Sequence, residues 1–213
     1  AASYCNSILK NCPLAVKYMS LRILYLLKSN QLAEAEKFSK EVLERPEIPY
    51  NSQLNSWRAR VVYYSGNEIM GKKMLMACLQ QDPDNSDAQR ALKTMKLAST
   101  KKEAASEAFK NNQLDEAIKL FDECVQLDPL NLNYNATLLL NKAIALNKQS
   151  KPEAALKALN HCLKQQPKYA KALVKRGEVR VALKMFDEAV QDFAEASKID
   201  PTGFGVESKL KHA

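Results

Sequence analysis

Apolar residues stand four and seven positions after a recurring small residue: Cys5 and Ile8 after Ala1, Leu75 and Cys78 after Gly71, Phe121 and Cys124 after Ala117, Leu159 and Cys162 after Ala155, and Phe193 and Ala196 after Ala189. Such steps put each set on one face of a helix. Proline follows each small residue at twelve positions, as Pro13, Pro83, Pro129, Pro167 and Pro201, and Ala59, Ala105, Ala143 and Gly177 precede four of them by the same step. Small side chains let helix backbones approach, and proline after a helix cannot continue it, so each unit predicts two helices in close contact and a stop. The unit is a helical hairpin. A weaker copy surrounds Ala35, with Ile23 in the first small slot and Pro46 one residue early. The second-helix small residues then fall at 1, 35, 71, 117, 155 and 189, a period near 34 with one interval of 46.

That long interval adds twelve residues between Gly71 and Ala117. Asp84 to Lys110 contains neither glycine nor proline, and Ala91, Leu92, Met95, Leu97 and Ala98 keep it apolar enough for one long first helix. It divides the chain into an N-terminal block at residues 1–83, made of a partial repeat at 1–15 and two repeats, and a block of three repeats at 84–201. Residues 202–213 begin a capping helix. Gly- and Ser-rich composition is missing at the join, so it reads as rigid. The chain opens inside a second helix without its first-helix partner, as expected of a piece of a longer repeat protein.

Composition adds exclusions. Ile23 to Leu27 is bounded by Arg22 and Lys28, far short of the roughly 20 apolar residues that cross a bilayer. Five cysteines, an odd and scattered set without a C-x-x-C pair, fit buried free thiols in a reducing setting, and neither a disulfide framework nor a zinc site. His161 and Cys162 are neighbours on a helix and point about 100° apart, so they do not form a nucleophilic pair. Glu34, Glu116, Glu153 and Glu188 each precede a second-helix small residue, where a carboxylate complements the helix dipole. Phosphate loops and nucleophile elbows are absent. The chain reads as a binding protein with no cofactor or metal, and as no enzyme.

Net charge is +8, and Lys142 to Lys184 concentrates it, with eleven Lys and Arg against Glu153 and Glu178. Lys171 and Lys175 share one helical face, as do Lys102 and Ser106, with Asn141 on the first helix between them. Lys17, Ser20, Leu21, Leu24, Gln53, Ser56, Trp57 and Arg60 fill the matching N-terminal slots, and Trp57 is expected in the core.

Period and residue types together resemble the tetratricopeptide repeat, best at Ala172 to Pro201 through Gly177, Asp187-Glu188-Ala189, Phe193, Ala196 and Asp200-Pro201. The resemblance implies an all-α, right-handed superhelical solenoid of stacked helix-turn-helix hairpins whose first helices line a concave surface. In the three-repeat members that bind the C-termini of heat-shock chaperones, a lysine and asparagine, then an asparagine, then a lysine and arginine hold the two carboxylates of a terminal aspartate. This chain matches at Lys102, Asn141 and Lys171, with Ser106 and Lys175 in place of the other two. Serine is too short to replace the amide, and lysine lacks the planar fork that grips carboxylate.

The two-block arrangement, Thr100-Lys101-Lys102-Glu103-Ala104, Ala108-Phe109-Lys110, Tyr169-Ala170-Lys171-Ala172 and Leu210-Lys211-His212-Ala213 resemble J-domain co-chaperones with a long tetratricopeptide region ahead of the J domain. No His-Pro-Asp tripeptide occurs here. The resemblance implies a cytoplasmic or nuclear adaptor for the acidic tails of the seventy- and ninety-kilodalton heat-shock chaperones. A non-chaperone scaffold would bind internal segments instead. A nucleic-acid-binding solenoid has little support, since few aromatics accompany the lysines.

Overall fold

The computed structural model describes residues 15–201 together with Ser7 and Cys12. Ala1, Cys5, Ile8 and Pro13 of the first pattern copy, and the capping helix expected at 202–213, lie outside the described residues. Among the described residues the regular structure is helical throughout: α1 (Val16–Lys28), α2 (Leu32–Leu43), α3 (Ser52–Tyr64), α4 (Glu68–Gln81), α5 (Ser86–Lys110), α6 (Leu114–Leu127), α7 (Leu132–Lys148), α8 (Pro152–Gln165), α9 (Ala170–Ala182) and α10 (Phe186–Ile199). The chain divides into two compact units, Ala1–Leu97 and Ala98–Ala213. The 25-residue α5 is the long first helix expected from the wide interval, and it contributes to both units.

In the first unit α1 pairs with α2 and α3 with α4. Met19, Ile23, Ala35, Leu54, Ala59 and Leu75 are at most 1% exposed. Gly71 shows why its slot must be small, because a Cβ there would stand 2.7 Å from Tyr63 Cβ and 3.0 Å from the Ala59 carbonyl oxygen. Trp57 departs from expectation. It is half-buried, with the Arg60 guanidinium 4.8 Å from its ring centre, while Leu54, Ala59 and Val61 take the inward positions of α3.

In the second unit the last turns of α5 pack on α6 through Ala105, Ala108, Ala117, Phe121 and Cys124. A larger core joins α7, α8, α9 and α10 around Leu140, Leu159, Leu173 and Phe193. Gly177 faces Phe193, whose ring would lie 2.5 Å from an added Cβ. Asp192, 2% exposed, accepts from Arg176 and Arg180, each at 2.6 Å. The prolines fall as their spacing requires, Pro83, Pro129, Pro167 and Pro201 standing just beyond α4, α6, α8 and α10.

Two repeated devices fix the register. First, the turn inside each hairpin holds one residue in the left-handed region: Asn30, Gly66, Asn112, Ser150 and Lys184, with φ between 57° and 95°. The next residue's amide reaches back five residues, as Gln31 to Leu26, Asn67 to Val62, Gln113 to Ala108, Lys151 to Leu146 and Met185 to Arg180, which closes the first helix with a Schellman-type bond. Second, the thiols of Cys78, Cys124 and Cys162 point at the carbonyls of Ser52, Ala98 and Ala136, each 26 residues earlier. All three are buried and free, as their common slot implied. Burial pushes the Cys124 thiol up to about 11 and the Cys162 thiol up to about 12.

Candidate functional site

The sequence-derived site residues all lie in the second unit, on α5, α7 and α9, the first helices of its three hairpins. Tyr134 ties α7 to α5 by donating its hydroxyl to the Ala98 carbonyl at 3.0 Å. Lys102 of α5 is half-buried and carries its ammonium 5.1 Å from the Tyr134 ring centre. A cation held over an aromatic face is steadied without being neutralised. Asn141 lies seven residues beyond Tyr134, hence on the same face of α7. Its side-chain amide makes no hydrogen bond to a described residue.

Two members are engaged by their own helices. Ser106 donates its hydroxyl to the Lys102 carbonyl at 2.8 Å, a back-bond that turns it away from a ligand. Lys175 pairs with Glu178 at 2.7 Å, three residues along α9. Lys171, one turn before it, is exposed and has no ion pair among the described residues. Ser106 and Lys175 are thus engaged within their own helices, whereas the side chains of Lys102, Asn141 and Lys171 have no hydrogen bond or ion pair to a described residue.

The basic run is less available than its composition implied. Lys142 pairs with both carboxylate oxygens of Asp122 at 2.6 and 2.7 Å, Arg176 and Arg180 share Asp192, and Lys151 lies 4.0 Å from Asp115. Lys148 rests 4.4 Å from the Phe109 ring centre. Those carboxylates come from outside the run or from a facing helix, a supply that no local count of charge includes. Among the described residues no group of acidic, cysteine and histidine side chains is placed to hold a metal, and no helix is long and apolar enough to cross a membrane.

Sequence models of the tetratricopeptide repeat match residues 103–129 and 140–204. The DnaJ homolog subfamily C member 7 homolog of Schizosaccharomyces pombe is 26% identical over 196 residues, which are 92% of this chain and 41% of that relative. The chain thus spans about two fifths of the length of the curated relatives it matches first. Among solved structures, the TPR domain of P58(IPK) covers 99% of this chain and is itself covered over 58%, with a TM-score of 0.66 at 19% identity, a likeness of fold. The first TPR of Spaghetti (RPAP3), solved with the HSP90 peptide SRMEEVD, has a TM-score of 0.51 at 29% identity over 55% of this chain and 90% of that one. The second TPR domain of human RPAP3, solved with the HSP70 peptide SGPTIEEVD, reaches 0.51 at 27% identity over 56% and 96%. The chain carries tetratricopeptide repeats and, over most of its length, is homologous in sequence to the repeat regions of the DnaJ subfamily C member 7 proteins and of the P58IPK homolog B of Oryza sativa.

Proposed function

We propose that this chain is a co-chaperone adaptor segment whose second unit receives the acidic C-terminal tails of the seventy- and ninety-kilodalton heat-shock chaperones, in the cytoplasm or nucleus. The observation that carries the reading is the state of Asn141. Among the described residues its half-buried amide has no partner, and it stands on the first helix between those of Lys102 and Lys171, two cations that no described carboxylate pairs with. An unspent donor between two ammonium groups suits a terminal carboxylate. The likeness to RPAP3 repeat domains solved with such peptides supports the choice of partner.

Ser106 and Lys175 make the site weak. Relative to an asparagine and an arginine, one or two hydrogen bonds are lost at about 0.5–1.5 kcal/mol each, or about tenfold in affinity. Calorimetry with a peptide ending in Glu-Glu-Val-Asp tests this. The free acid should bind weakly and more weakly as salt rises, amidation should abolish the heat, and Lys171→Glu should remove binding by replacing attraction with repulsion. Ser106→Asn with Lys175→Arg should tighten it. Equal heats from acid and amide would refute the clamp and favour a scaffold that reads internal segments.

A further inference from the structure

An open groove of about 560 Å³ lies between α6, α7 and α8. Ile118 and Val125 of α6, Leu139 and Leu146 of α7, and Ala154 and Ala158 of α8 form its apolar walls. Lys142, Lys157 and His161 also line it, together with Asp122 and Gln126. The groove faces a different side of α7 from Asn141. At 3.6 residues per turn, the centre of Leu139, Lys142 and Leu146 lies roughly 130° round the helix from that asparagine.

Two other repeats fill the corresponding space. Thirty-four residues later, Arg176 stands at the position of Lys142, Arg180 at that of Leu146 and Asp192 at that of Ala158. There the carboxylate of Asp192 draws both guanidinium groups in, and long side chains occupy the space between α8, α9 and α10. In the first unit Arg58, at the matching position of α3, crosses to α2 and donates to the Glu36 carbonyl at 3.1 Å and to Ser39 Oγ at 3.3 Å. Leucine and alanine at 146 and 158 leave the equivalent space unfilled. Lys142 is drawn to one wall by Asp122, which keeps the middle clear.

We propose that this groove is a second peptide-docking site, which takes an internal segment of a partner protein presenting one bulky apolar side chain beside a carboxylate. Its size falls within the roughly 300–1,000 Å³ of sites that bury a ligand side chain. Charge decides the flanking residue. Lys157 is exposed and has no ion pair among the described residues, and the lining carries two lysines against the single Asp122, so a basic segment is repelled and an acidic one completed. Nothing in the lining is arranged to require a free chain end. The site is therefore independent of the tail-binding reading.

The probe is the seven-residue peptide Ser-Glu-Glu-Ala-Phe-Glu-Ser, acetylated and amidated so that no terminal carboxylate remains, titrated into the whole chain labelled for methyl NMR. Saturable shifts should appear at Ile118, Leu139 and Leu146, and a free-acid Glu-Glu-Val-Asp peptide should not displace it. Lys157→Glu, on an exposed position, should weaken it by about tenfold or more. Leu146→Arg with Ala158→Asp should fill the groove with the pair that the next repeat uses and weaken it comparably, with the helical circular dichroism signal retained. Lys171→Glu should leave it unchanged, which separates this site from the tail site. Absence of saturable binding, shifts that spare the methyl groups of Ile118, Leu139 and Leu146, or binding indifferent to Lys157→Glu would each overturn the proposal.

Discussion

Replacing Gly71 by alanine sets two opposite effects against each other at one point of contact. Alanine is favoured over glycine inside a helix by about 1 kcal/mol, so propensity alone predicts a more stable protein. The new Cβ, however, would stand 2.7 Å from Tyr63 Cβ, 3.0 Å from the Ala59 carbonyl oxygen and 3.1 Å from Tyr63 Cα. Comfortable carbon contacts begin near 3.5 Å, so α3 and α4 must part by roughly 0.5–1 Å. Two of those three atoms are backbone, and Tyr63 is only 5% exposed, so no side chain can swing aside. Overpacking of this kind costs typically 1–3 kcal/mol, which leaves a net loss of about 1 kcal/mol. Trp57, the chain's one tryptophan, sits on α3, and its fluorescence in a urea titration reports the first unit without interference from the second. The reverse substitution is the control. Ala117→Gly removes a methyl that is fully buried and adds the glycine penalty, for a loss of about 2 kcal/mol read by circular dichroism. A Gly71→Ala variant that unfolds at higher urea than the parent would refute the close-contact account of the small slots.

Cys78, Cys124 and Cys162 should react with a thiol reagent only after denaturation. Because burial holds Cys124 up to about 11 and Cys162 up to about 12, against an ordinary 9.0, the unfolded chain sheds these protons first. Their stabilising effect is complete below pH 9 and lost as pH rises towards the folded values, so Cys162→Ala should flatten the fall in urea midpoint over that window. Asp192→Ala should cost about 3 kcal/mol or more, by leaving two partly buried guanidinium groups without their carboxylate, and a change within error would show that solvent screens them. Lys184→Gly should stabilise by about 0.5–1 kcal/mol, since relief of a left-handed lysine outweighs the added freedom of the unfolded chain, and an unchanged melting curve would argue against that conformation.

The parts of the fold that could be read from sequence are those where packing restricts residue type. Gly71 and Gly177 have no room for a methyl, and Pro83, Pro129, Pro167 and Pro201 end helices that must turn back, so both leave marks at fixed spacing. The hairpin turns leave a weaker mark. Their left-handed position always lies five residues before the second-helix small residue, yet it holds asparagine twice, glycine, serine and lysine. The Schellman-type bond uses backbone alone and tolerates all of them, so register and not residue type identifies the turn. Trp57 lies further out than its spacing implies, because spacing assigns a face to a residue without saying how far inward it reaches, and α3 turns Leu54, Ala59 and Val61 inward ahead of it.

Charge followed a different rule. In a stack of hairpins, a cation on a first helix meets acids on the second helix of its own repeat or of the one before, separations of 16 for Arg176 and Asp192 and 20 for Lys142 and Asp122. A window drawn along the sequence omits those partners, and the run from Lys142 to Lys184 therefore looks more basic than the surface it forms. What remains for a ligand is the subset that no neighbouring helix reaches, and it divides between faces. Lys171 lies on the first helix α9, as Asn141 and Lys102 lie on the first helices α7 and α5, whereas Lys157 lies on the second helix α8 and lines the groove between α6, α7 and α8. Under the two proposals one basic run in sequence supplies two separate anion-seeking positions, and a charge reversal at either one should affect only the ligand of its own face.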